Sequence, residues 1–210
     1  LKTNFIDELI SESCGFNRYI SKEDYDIYNS QSTPESIKTN IRKNFMNKIS
    51  SNYDIRSYEN IRYELLKSTN IKKSIDDLTK NRVVIIDEVH NLISSNIKTS
   101  ILSTIIKSNK IHKNISNING VILRLLTKLS HPTCKMFFLT ATPIFDNYGQ
   151  FIELVLNLCP TFDADEVKRN MYDYEFLLDN LRGKICFYKL KDLSDYPIVK
   201  TENINIPLSK

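Results

Sequence analysis

Val83-Val84-Ile85-Ile86 is a run of four β-branched residues that leads straight into Asp87-Glu88-Val89-His90. A continuous apolar run of this kind reads as a strand buried on both faces, which is the signature of a parallel sheet. In open α/β sheets the ligand chemistry gathers at the carboxyl ends of such strands, where Asp87 and Glu88 stand. A carboxylate pair there suits a nucleotide site. One group holds Mg²⁺ through water, and its neighbour orients or deprotonates the water that attacks the γ-phosphate. The plainer alternative is a strand that ends in a solvated acidic turn.

A second segment repeats the design. Lys135-Met136-Phe137-Phe138-Leu139 runs into Thr140-Ala141-Thr142-Pro143, so two hydroxyls follow another short apolar run and Pro143 stops the strand. If the two strands are parallel neighbours, Thr140 and Thr142 lie beside the Asp-Glu-Val-His segment. Their hydroxyls can then bond His90 or a carboxylate. Taken singly, Thr140 and Thr142 would be ordinary strand-end capping residues. Two such segments separated by a helix-sized insert favour the functional reading.

On these residues the chain resembles the superfamily 2 DExH helicases and translocases. Asp87-Glu88-Val89-His90 matches their motif II, and Thr140-Ala141-Thr142 matches their motif III. The longer string 139–147 is similar to the large-DNA-virus branch, which includes the poxvirus nucleoside triphosphate phosphohydrolase I and early transcription factor small subunit. The stretches 1–9 and 53–59 fit less specifically. The resemblance implies an α/β fold: a RecA-like three-layer domain with a mainly parallel central sheet. It implies ATP and Mg²⁺ as cofactors, Asp87 at the metal through water, and Glu88 as general base or water-orienting group. It gives His90, Thr140 and Thr142 the coupling of nucleotide state to nucleic acid. Implied partners are DNA or RNA and a viral RNA polymerase, with no membrane, in host cytoplasm or virion. The role implied is transcription or genome processing. The alternative is an inactive RecA-like module that binds nucleic acid or a polymerase without turnover.

The phosphate-cradling loop of such enzymes needs G-x-x-x-x-G-K-[ST]. The four glycines are Gly15, Gly120, Gly149 and Gly183; only Gly183 precedes a lysine, and there Leu178 and Ile185 break the pattern. The economical expectation is therefore an internal piece of a longer motor. Residues 1–183 would be the partial first lobe without its P-loop strand, and 184–210 a linker and the start of a second lobe.

Composition adds limits. A net charge of +4, from 29 basic and 25 acidic residues, is a weaker basic excess than a dedicated nucleic-acid binder carries. Cys14, Cys134, Cys159 and Cys186 show no C-x-x-C spacing, which argues against structural zinc and a disulfide framework and suits reduced thiols. No apolar run approaches the length of a membrane span.

Periodicity predicts helices over 2–13, from Pro34 through Ile49, around Ile61 to Leu66, around Ile71 to Leu78, at 101–106, 121–129 and 151–158, and over 174–181 with Gly183 as cap. Strands are expected at 19–20, 55–58, 83–86, 135–139 and 198–206. The basic residues Lys38, Arg42, Lys43 and Lys48 read as a solvated helix face more readily than as a nucleic-acid contact, and 107–119 as an exposed basic loop, equally a contact for nucleic acid or a partner or plain solvated chain. His112 and His131 have no partner at ligand spacing.

Overall fold

The computed structural model describes residues 2–11, 18–93, 97–112, 114–143 and 147–187, with side chains from Phe5 onward. The expected strand at 198–206, and all but the first residues of the expected linker, lie outside these. So does Cys14.

The described chain is a mostly helical α/β arrangement around one small parallel sheet. Five helices come first: α1 (Lys2–Leu9), α2 (Lys22–Asn29), α3 (Glu35–Ser50), α4 (Tyr58–Lys67) and α5 (Ile71–Thr79). Strand β1 (Val83–Ile86) follows, then α6 (Thr99–Ser108), α7 (Ile118–Leu129) and β2 (Lys135–Phe138). The chain continues with α8 (Tyr148–Leu158), α9 (Ala164–Asn170) and α10 (Tyr174–Leu181).

β1 and β2 pair in parallel, Val83 opposite Lys135 and Ile86 opposite Phe138. The pleat turns Val84, Ile86, Met136 and Phe138 inward, onto Leu123 of α7 and Leu154 of α8. The other face is open among the described residues: Val83, Ile85 and Phe137 are 63%, 58% and 55% exposed. The unbroken apolar run thus predicts burial on both faces, and only one face is covered here. The parallel pairing is as expected; in place of the expected three-layer domain, the described residues show two strands with helices on one side.

The largest core joins α4, α5, α6 and α7 through Leu65, Ile71, Ile75, Leu102, Ile105, Val121 and Leu125. Burying each such side chain contributes about 1.5–3 kcal/mol. Ile111 also enters this core, so the stretch read as an exposed basic loop is anchored in its middle. Thr79 ties the base of the sheet together: its hydroxyl donates to Ile75 O at 2.7 Å and accepts from His131 N at 2.9 Å. Asn81 N donates to the hydroxyl of Thr133 at 2.8 Å, and the His131 Nδ1 rests on that same hydroxyl at 2.8 Å. His131 is thereby a local structural residue.

Two further local expectations are corrected. Residues 55–57 form no strand of the β1–β2 sheet, and Tyr58 opens a helix, because Ser57 accepts from Asn60 N and caps it. The segment before the cap is held by charge: Arg56 bridges Asp54 and Glu64, and Arg82 also donates to Asp54 at 3.1 Å. Helix α2 replaces an expected loop; Ser21 caps it and Glu23 and Asp24 fill its first turn, yet none of its residues is buried. Helix α9, capped by Asp163, was likewise unsignalled by any apolar stripe, since Val167 is its one buried residue.

Arg124 of α7 and Glu153 of α8 form a buried pair, 3.6 Å apart. The Arg124 guanidinium also donates to Leu156 O, and Ile97 N donates to Glu153 Oε1 at 3.3 Å. Burial pushes the Glu153 carboxyl up and the Arg124 guanidinium down, each opposed by the other's charge. Removing one member strands the other. Glu153→Ala is therefore expected to cost about 3–5 kcal/mol in urea unfolding, and Arg124→Met with Glu153→Leu to recover most of that.

Arg56 first, and then Arg82, hold the Asp54 carboxyl below its ordinary range against a smaller opposing effect of burial. A depressed carboxylate contributes stability above the unfolded-state range and loses it as pH falls through the folded value. The stability gap between wild type and Asp54→Asn should be full at neutral pH and close in acid, as read by denaturation at a series of pH values.

Candidate nucleotide-hydrolysis site at the strand tips

Hydrogen bonding between β1 and β2 continues past the strand ends. Leu139 N donates to Ile86 O at 2.9 Å, and Val89 N donates to Leu139 O at 3.0 Å. Val89 is fully buried beneath this connection. Between these two bonds the chain must turn sharply within Asp87 and Glu88. Glu88 adopts the left-handed conformation, φ 50° and ψ 46°, which costs an L residue about 1–2 kcal/mol. Asp87 eases the turn by accepting Glu88 N on its own Oδ1 at 3.0 Å. A short 3₁₀ turn, Val89–Asn91, follows.

The outcome is a cluster of polar tips. His90 Nδ1 lies 2.9 Å from Thr140 Oγ1 and 3.1 Å from Glu88 Oε2. Thr142 N donates to Thr140 Oγ1 at 3.1 Å, so the second hydroxyl segment folds back on the first. The residues singled out by sequence therefore converge: Glu88, His90 and Thr140 in direct contact, Asp87 in the same turn, and Thr142 through its backbone. Asp87 and Thr142 are exposed, whereas Glu88, His90 and Thr140 are half-buried.

One ring nitrogen serves two partners, and the position of its proton selects between them. A protonated Nδ1 donates toward the Glu88 carboxylate, with the Thr140 oxygen sharing the proton. A bare Nδ1 accepts from the Thr140 hydroxyl instead and leaves Glu88 unbound. The geometry can thus link the state of a carboxylate on one strand end to a hydroxyl on the other.

Tyr58 is the residue that sequence reasoning missed. It packs into the cluster of Ile86, Val89, Leu92, Ile93 and Leu123 beneath the turn. Burial first, and then the negative charges of Asp87 and Glu88, push its phenol above the ordinary range. Its sequence places Ser57-Tyr58 at a strand end, and the helix-capping pattern of Ser57 is the signal that points the other way.

Magnesium is characteristically held by one or two carboxylates together with water and phosphate oxygens, not by an all-protein cage. Among the described residues no three His, Cys, Asp or Glu side chains gather as a cage. Asp87 suits the sparser arrangement: it is exposed, and only its Oδ1 is engaged by the turn. Two open clefts, of about 310 and 400 Å³, are lined by none of these residues.

Comparison with known proteins bears on this geometry. The chain is 31% identical over 146 residues to the nucleoside triphosphatase I of Heliothis armigera entomopoxvirus. The aligned part is 66% of this chain and 21% of that protein, so the chain spans about a fifth of the relative's length. No family model matches, and no solved structure matches.

The left-handed backbone at Glu88 gives a direct test. Glycine adopts it freely but loses entropy on ordering, and the half-buried, still solvent-accessible pair with His90 contributes little, so Glu88→Gly should stay within about 1 kcal/mol of wild type. Glu88→Val, β-branched at the same backbone angles, should unfold at lower denaturant, with a loss of about 1–2 kcal/mol.

Proposed function

We propose that this chain is part of the motor of a nucleotide-driven helicase or translocase, a superfamily 2 DExH protein of the large-DNA-virus kind with a RecA-like first lobe. The observation that carries the reading is the 2.9 Å contact between His90 and Thr140, across two parallel strands whose tips also bear Asp87 and Glu88. The similarity to a viral nucleoside triphosphatase points to the same chemistry.

In this reading Asp87 would hold Mg²⁺ through water. When bound, the ion supplies charge neutralisation on the phosphates. Glu88, oriented by His90, takes a proton from the attacking water or aligns it. Thr140, in contact with His90, and Thr142, tied to Thr140, relay the protonation state of the carboxylate side to a nucleic-acid surface. ATP is the nucleotide and DNA or RNA the track, with a viral RNA polymerase as protein partner and transcription or genome processing as the setting. Residues 1–183 belong to the first lobe, and the chain beyond leads toward a second.

The decisive experiment is nucleic-acid-stimulated ATP hydrolysis by the full-length protein. Glu88→Gln should lower turnover by about 10²–10⁴-fold while nucleotide binding persists. Thr140→Val should keep basal hydrolysis and lose its stimulation by nucleic acid. Wild-type turnover in Glu88→Gln would remove Glu88 from the chemistry and leave the non-catalytic binding module as the better account.

A further inference from the structure

Far along the chain from the strand tips, a thiol and an amine meet. Cys159 follows the last turn of α8 and is only 3% exposed. Its Sγ lies 3.0 Å from Nζ of Lys184, and its S–H points at Asn180 O, 3.6 Å away. Both neighbours come from the end of α10. Asn180 sits in the last turn of the helix, and Lys184 N donates to Leu181 O at 3.0 Å in the turn beyond. Gly183, at φ +74°, makes that turn with a backbone that other residues adopt only under strain. The turn swings Lys184 back over the end of α8.

An exposed lysine ordinarily rests in water or on a carboxylate. Among the described residues none of the ion pairs includes Lys184, and its amine lies against sulfur instead. Cys134, whose thiol burial pushes up, and Cys186, which is exposed, have no such hydrogen bond from a lysine among the described residues. The two atoms already stand close enough that a bond between them needs little backbone movement.

We propose that Cys159 and Lys184 are an oxidation-made crosslinking site, closed by a hydroperoxide into an S–N sulfenamide bond. In the first step the Cys159 sulfur attacks hydrogen peroxide. The O–O bond breaks, an S–O bond forms, and water leaves; sulfur is oxidised by two electrons and peroxide is reduced. In the second step the unprotonated Lys184 amine attacks the sulfenic sulfur. The S–N bond forms, the S–O bond breaks, and the hydroxyl departs with a nitrogen proton as a second water. The sum is thiol, amine and one peroxide giving the crosslink and two waters.

Burial of the sulfur selects a small oxidant, and the exposed residues 182–187 keep the amine open to water. Thiolate and free amine are the reacting forms. The link would staple the end of α8 to the turn after α10. It would close a loop that contains α9 and fasten the cluster of Ile152, Val155, Leu156 and Val167. A thiol reductant attacking sulfur would reopen it. This inference stands apart from the hydrolytic reading.

The test treats the full chain with hydrogen peroxide, blocks remaining thiols under denaturing conditions, and digests it for mass spectrometry. Expected is a joined pair of peptides carrying Cys159 and Lys184, lighter than their sum by two hydrogens and separated by dithiothreitol. Lys184→Arg keeps the charge and removes the primary amine; an unchanged melting curve establishes its fold. In that variant the joined pair should vanish and Cys159 should instead be trapped as sulfenic acid by dimedone. Unlinked or unoxidised Cys159 in the wild type overturns the proposal. So does a pair that retains an extra oxygen, or one that persists in Lys184→Arg.

Discussion

The parallel ladder between β1 and β2 is the interaction on which the rest depends. It does not stop at the strands: Ile86 O and Val89 N both bond the backbone of Leu139, one residue past β2. Two bonds to one residue fix where the chain re-enters after Asp87 and Glu88, and the fully buried Val89 prevents slippage. A one-residue shift of register would turn Val84 and Ile86 outward and carry His90 away from Thr140. The strained backbone at Glu88 persists because the bonds and packing on either side over-determine it.

Helices clamp this ladder at both ends. At its base, Thr79 and Asn81 at the end of α5 bond His131 and Thr133 ahead of β2. Beneath it, Leu123 of α7 is fully buried against the strands. Beyond the tips, Glu153 of α8 accepts from Ile97, which lies downstream of His90, while pairing with Arg124 of α7. The buried pair thus connects the segments that follow the two strand-end motifs. Its desolvation makes it a poor source of net stability, and its geometry makes it a specific one.

How much of this was legible in the sequence varies with the physical signal. Val83 to Ile86 and Lys135 to Phe138 were readable as strands because their apolar runs have no helical spacing, and their parallel pairing followed from the helices between them. Helices with wide apolar faces, such as α5 and α7, were readable for the complementary reason. Helices α2 and α9 were not, since caps and first-turn acids form them while almost nothing in them is buried. The misread stretch at 55–58 shows the same competition: Ile55 and Tyr58 look strand-like, but the Ser57 cap and the ion pairs of Arg56 decide the local path.

By itself the sequence determined which residues could carry chemistry: two carboxylates, an imidazole and two hydroxyls, each placed at the end of an apolar run. It could do so because strand period and residue type are local properties. Only the tertiary structure decided that a single nitrogen of His90 faces both Glu88 and Thr140, that Tyr58 lies beneath the acidic turn, and that Lys184 rests on Cys159. Those contacts join residues between 2 and 50 positions apart in the chain. They arise from packing that no local pattern encodes and from the left-handed backbone at Glu88; the Gly183 turn was legible as a helix cap, but not what it brings together.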